Sequence, residues 1–140
     1  MRTGEGNSVC CNKYRHDTTP SPMASIRESV DDLNAQILNG QILPAFEQYY
    51  ADDVVMIDQG QPPREGKDQN RTYEEGFVNG LTEFRNAEVK SVAIDEGNNK
   101  AFVEWHFDFS HKDFGDQKYD QVAVQTWEDG KIKEERFYKI

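Results

Sequence analysis

The sequence predicts an α+β domain, with N-terminal helices packed on a strongly curved, mainly antiparallel β-sheet. Two observations predict it. Apolar residues recur at helical spacing from Ser25 to about Leu81, and from Glu88 onward the pattern changes to long alternating runs separated by short polar turns. Helices first and then a meander of strands is an α+β order, and a sheet curled over helices leaves a cone-shaped cavity.

Ser25 is a helix N-cap, and Glu28 three residues later completes a capping box. Ile26, Val30, Leu33, Ile37 and Leu38 form one apolar stripe, and Asn39-Gly40 is the stop signal. A second helix is expected over Leu43 to Tyr50, with Pro44 in its first turn, where a missing N–H is harmless. Phe46 and Tyr50 then share a face. Val54 to Asp58 reads as a short strand and residues 59–63 as a loop. A third helix over Lys67 to Leu81 carries Tyr73, Phe77 and Leu81 on a thin stripe.

Strands follow over Glu88–Asp95, Lys100–Ser110, Gln117–Trp127 and Lys131–Ile140. Their turns are Glu96-Gly97-Asn98-Asn99, a connection containing Gly115, and the tight hairpin Glu128-Asp129-Gly130. Along the longest run Ala101, Val103, Trp105, Phe107 and Phe109 share one face, which a core requires. Phe102, Glu104, His106, Asp108 and Ser110 share the other. His106 and Asp108 resemble an acid–base pair, but alternation turns them to the convex side, away from the cavity.

Residues 1–22 have no hydrophobic period and close on Thr-Thr-Pro-Ser-Pro, the composition of an irregular or disordered leader. The remainder, 23–140, is one domain of ordinary core size. The chain's two cysteines, Cys10 and Cys11, are adjacent and have no other internal partner, which agrees with a reducing, cytoplasmic location. No ligand cluster accompanies them except His16, so no metal site is expected. A formal net charge of −10 argues against nucleic acid and anionic membrane as partners. Charged residues make up 30% of the chain and the mean hydropathy is −0.89; no apolar run approaches the roughly 20 residues of a membrane span.

The most informative segment is YADDVVMIDQGQPP, Tyr50 to Pro63. Its strand places Val54, Met56 and Asp58 on one face. Against an apolar cavity, burial would raise the Asp58 carboxyl and suit it to proton transfer. With the following REGKDQ of Arg64 to Gln69, the segment resembles ketosteroid isomerases and, more broadly, the NTF2-like superfamily. That superfamily includes SnoaL-type cyclases, scytalone dehydratase and limonene epoxide hydrolase. The resemblance implies the cone-shaped NTF2-like (cystatin-like) fold, a small apolar ligand, no cofactor, and a homodimer through the convex face of the sheet. It also implies Asp58 as general base.

Other expectations come from the same comparison. SnoaL-like sequences carry a histidine a few residues past the strand tryptophan, a place held here by His111 relative to Trp105. The acidic residue that the isomerases and cyclases carry before the final hairpin falls on Ala123, and the isomerases' helix tyrosine falls at Leu33-Asn34. Both oxyanion donors of the isomerases are therefore missing, and efficient ketosteroid isomerisation is not expected. The expected catalytic set is Asp58, Glu135 and His111. Glu135 joins it only if it faces inward beside Phe137, against the alternative of a solvated edge. The expected cavity wall is Tyr50, Met56, Phe77, Val103, Trp105, Phe107, Gln121, Ala123, Gln125 and Phe137. Two function classes stand: a cofactor-free isomerase, cyclase, dehydratase or epoxide hydrolase, and a non-catalytic dimeric binding or scaffold module.

Overall fold

The computed structural model describes residues 25–140; the leader and both cysteines lie outside the described residues. Helix α1 spans Ile26–Leu38, with Ser25 Oγ accepting from the Glu28 N–H (3.1 Å) and Glu28 Oε1 accepting from the Ser25 N–H (2.9 Å). This reciprocal pair satisfies two backbone donors that a helix start leaves open. Helix α2 spans Ile42–Tyr49 and runs directly into strand β1, Tyr50–Asp58. Tyr50 is thus the first strand residue rather than a helix end. Its ring still stacks on Phe46, with centroids 4.9 Å apart.

After the polar loop comes the two-residue strand β2, Arg64–Glu65, then helix α3, Lys67–Gly80. Gly66 takes φ +90° at this junction, a conformation costly for any residue with a Cβ, and donates its N–H to Val54 O (2.8 Å). The turn pins Arg64 beside the end of β1. Strand β3 spans Leu81–Asp95, β4 Lys100–His111, β5 Gly115–Glu128 and β6 Lys131–Lys139, with a 3₁₀ turn at Glu96–Asn98. Strand β3 begins seven residues earlier than the sequence predicts. Residues 81–87 show almost no alternation of burial, and only pairing with β4 makes them a strand. Asp129 (φ +54°) and Gly130 (φ +77°) form the left-handed two-residue turn that suits a hairpin's twist.

The six strands form one sheet in the order β2-β1-β6-β5-β4-β3. Only the β1–β6 pair is parallel. Register shifts interrupt β3–β4 at three places, β1–β6 at one and β5–β6 at one. Four of them insert one unpaired residue and the β1–β6 shift inserts three, and these irregularities bend the strands so that a sheet this long curls around the helices. The core is Val30, Leu33, Ala45, Phe46, Tyr49, Val54, Ala101, Val103, Ala123, Trp127 and Ile132, each at most 3% exposed. Among the described residues no helix is long and apolar enough to cross a membrane.

Candidate active site

The concave face of the sheet and helices α1 and α3 enclose a chamber of about 180 Å³. It opens on a vestibule of about 620 Å³; Asp58, Tyr73, Phe77, Phe109, Tyr119, Gln121 and Phe137 line both spaces. The chamber walls are mostly aromatic, with Trp105 and Phe107 stacked at 5.1 Å and nearly parallel. Of the expected wall, Tyr50, Met56, Phe77, Trp105, Phe107, Gln121, Gln125 and Phe137 line the chamber.

Three expectations need correction. Val103 and Ala123, paired across β4 and β5, are buried in the core and do not line the chamber. Their side chains are too short to reach past larger neighbours on the same face. His111 lines neither space. Its ring lies between Phe114 (4.3 Å) and Phe77 (5.8 Å) and against Gly80, where even a Cβ would sit 2.2 Å from the imidazole. His111 Nδ1 accepts from the Asp113 N–H (3.1 Å), so the ring serves as packing at the end of α3.

The third correction concerns Asp58, which is not a carboxylate held against hydrocarbon. Arg64 Nη1 lies 2.9 Å from Asp58 Oδ2, and the Tyr73 hydroxyl donates to the same oxygen at 3.2 Å. The Arg64 guanidinium also stacks over the Tyr73 ring, 3.7 Å from its centroid. Arg64 is held by Asn70: Oδ1 accepts from Arg64 Nε (3.1 Å), while Nδ2 donates to Arg64 O (3.0 Å) and Gly66 O (2.9 Å). Asn70 is fully buried. The Asn70-Arg71-Thr72 triplet, which as a sequence matches a glycosylation signal, therefore carries a structural amide.

The desolvated acids are two glutamates. Register places Glu135 opposite Gln125 on β5 and Met56 on β1, which turns it inward at 3% exposure. Tyr50 Oη donates to Glu135 Oε1, and Gln125 Nε2 donates to Oε2 at 2.9 Å. Gln125 is itself oriented by the Trp127 indole N–H, which donates to its Oε1 at 3.0 Å. Burial pushes the Glu135 carboxyl up to about 7; its two donors and Arg64 oppose the rise, and Asp58 adds to it. The Tyr50 phenol goes up as well, through burial and then Glu135.

Glu74, on α3, lines the same chamber. The residue as a whole is half-buried. Burial raises it to about 7, with Glu135 and Asp58 adding to the rise and Arg64 opposing it. Among the described residues Glu74 has no hydrogen-bond partner. Tyr119, pushed up to about 12 by burial and then Asp58 and Tyr73, keeps its proton at neutral pH. Among the described residues no three acidic or imidazole groups converge as a metal ion would require. Sequence reasoning missed Glu74, Arg64, Tyr73, Tyr119 and Asn34. Signals were available: α3 spacing brings Tyr73, Glu74 and Phe77 within about one turn, and strand alternation puts Tyr119 on the face of Gln121 and Gln125.

The family model described as SnoaL-like domain matches residues 30–135. A search of curated proteins returns no match. Among solved structures, a protein from Mesorhizobium loti, provisionally named a SnoaL-like polyketide cyclase, has TM-score 0.73 and 25% identity over 82% of this chain and 99% of that one. A protein from Pseudomonas putida, provisionally named a polyketide cyclase, has TM-score 0.67 and 20% identity over 82% and 91%. An NTF2-like protein from Burkholderia pseudomallei shares the fold at TM-score 0.68 and 13% identity, over 84% and 92%. With the family model covering most of the chain and the cone-shaped fold in place, this protein belongs to the SnoaL-like domain family of the NTF2-like superfamily.

Proposed function

We propose that the protein binds a small, largely apolar molecule and acts on it by cofactor-free acid–base chemistry of the isomerase, cyclase, dehydratase or epoxide hydrolase type. The observation that carries this reading is an aromatic chamber holding two desolvated carboxyls, Glu135 and Glu74. A carboxyl near 7 can both take and return a proton at neutral pH, the condition for efficient general catalysis. Glu135, oriented by Tyr50 and Gln125, is the proton acceptor, and Glu74 is the second acid of the pair. Asp58, paired to Arg64, orients substrate where chamber meets vestibule. Tyr119 and Gln121 line the chamber without a side-chain hydrogen bond among the described residues. They are the donors available to a developing oxyanion in place of the isomerase pair.

The test has two stages. Steroids, polyketide-like phenols, terpenoid epoxides and fatty acids are screened by thermal shift, since binding raises stability with the logarithm of ligand over Kd. Hits are then incubated in D₂O and followed by NMR for turnover, read as deuterium uptake at carbon or, for epoxides, as diol formation. Turnover that falls at least about a hundredfold in Glu135→Gln, the scale of a lost general base, supports the reading. Equal turnover in that variant and the wild type sinks it.

The ion pair on Asp58 favours a second reading, a non-catalytic binding module, which predicts ligand binding with no turnover. A dimer belongs to both readings. Phe102, Val122, Val124 and Tyr138 lie among charged residues on the convex face, a mixture suited to a symmetric interface. Sedimentation as a monomer at micromolar concentration would refute the dimer. A cytoplasmic location goes with this reading, and recovery of the native protein from a secreted fraction would refute it.

A further inference from the structure

The polar groups at the inner end of the chamber are unbalanced. Asn34, 5% exposed, lines the chamber with its Oδ1 buried and without a hydrogen-bond partner. A buried acceptor left this way costs about 1–3 kcal/mol unless something donates to it. Glu74 adds a carboxyl that also lacks a donor among the described residues. The one guanidinium on the wall, Arg64, is already committed to Asp58 and Asn70 and lies over Tyr73. Away from the Tyr119 hydroxyl and the Gln121 amide, which line chamber and vestibule alike, the unpaired groups are acceptors inside aromatic walls, complementary to a group that brings both N–H donors and positive charge. Rings bind cations through their faces. At the vestibule rim the protein does this itself, with Lys139 Nζ 4.3 Å from the Tyr119 centroid.

We infer that the inner chamber selects ligands bearing a protonated amine, which donates to Asn34 Oδ1 and Glu74 and packs against Trp105 and Phe107. This rests on the reading of the chamber as a small-molecule site and names the substrate class that site takes. An organic cation fits better than a metal ion, because among the described residues no three carboxyl or imidazole groups converge and the walls are rings.

A pH signature follows. The charged and titratable groups facing Glu74 and Glu135 are Asp58 and Arg64, the phenols of Tyr50, Tyr73 and Tyr119, and Lys139 at the rim. A bound ammonium favours both carboxylates, so it releases protons and binds more tightly as pH rises from 6 to 8. The three phenols, all raised by burial, keep their protons over that range.

The probes are N,N-dimethylbenzylamine, protonated at neutral pH, and isobutylbenzene, its uncharged isostere. Each is titrated into the full-length protein and followed by tryptophan fluorescence and thermal shift. The expected result is tighter binding of the amine than of the isostere. It should weaken by about tenfold or more in Glu74→Gln, the scale of one charge-assisted hydrogen bond. Glu74→Gln breaks no hydrogen bond and should fold; Glu135→Gln, which removes the neighbouring charge but no hydrogen bond to the amine, is the second variant, with a smaller expected loss. Isostere binding as tight as the amine's, or amine affinity unchanged in both variants, overturns the inference and leaves the enzymatic reading standing. Failure of both probes and of the whole ligand screen overturns both.

Discussion

Glu135→Gln offers a direct test of the site's electrostatics, independent of substrate. The carboxyl moves from its ordinary value of 4.5 to about 7 on folding, with burial as the leading cause. At about 1.36 kcal/mol per unit, the ionised form costs on the order of 3 kcal/mol of stability above pH 7. The sign follows from proton binding. Between pH 4.5 and 7 the folded state holds more protons on this group than the unfolded state, so stability falls as pH rises through that window. Glutamine cannot ionise, so the variant lacks this slope. At pH 5 the wild-type group is itself protonated, and the amide stands in for it: its oxygen accepts from Gln125, which Trp127 keeps from reversing, and its NH₂ faces the Tyr50 hydroxyl oxygen, which can accept. Urea unfolding of both proteins from pH 5 to pH 8 should therefore show the variant gaining on the wild type by up to about 3 kcal/mol as pH rises. A difference constant across the range would refute a desolvated Glu135.

Three further outcomes are expected. Tyr50→Phe removes a donor that favours the carboxylate, so the Glu135 carboxyl should rise further; carbon NMR of the side-chain carboxyl reads this, and a fall would contradict the hydrogen bond. Gly80→Ala should destabilise by about 1–3 kcal/mol through collision with His111, whereas Gly76→Ala, in open space on the same helix, should stabilise by up to about 1 kcal/mol; thermal unfolding in which both variants behave alike would count against the His111 packing. Asp58→Asn should lower the pKa of Tyr73 and Tyr119, so that they ionise more readily, because both are raised first by burial and then by Asp58; an ultraviolet titration of tyrosine with an unchanged midpoint would show that Asp58 does not face them.

Much of this molecule is written in local chemistry. The Ser25–Glu28 capping box, the Asp129-Gly130 turn and the alternation that turns Trp105 and Phe107 inward depend on residues a few positions apart. One sequence therefore determined the element order, the fold class and most of the chamber wall. What depends on long-range pairing was decided only by tertiary structure. The charged segment Lys131–Lys139 has no face of its own, and Glu135 turns inward because Gln125 and Met56 flank it in register. Residues 81–87 become a strand because β4 lies beside them. Asp58 acquires Arg64 because Gly66 and Asn70 fold the chain back onto the end of β1, and that contact shifts the acid–base candidate from Asp58 to Glu135 and Glu74. The physical reason is the same in each case. Propensity and periodicity act within one element, whereas desolvation and charge pairing depend on which elements meet.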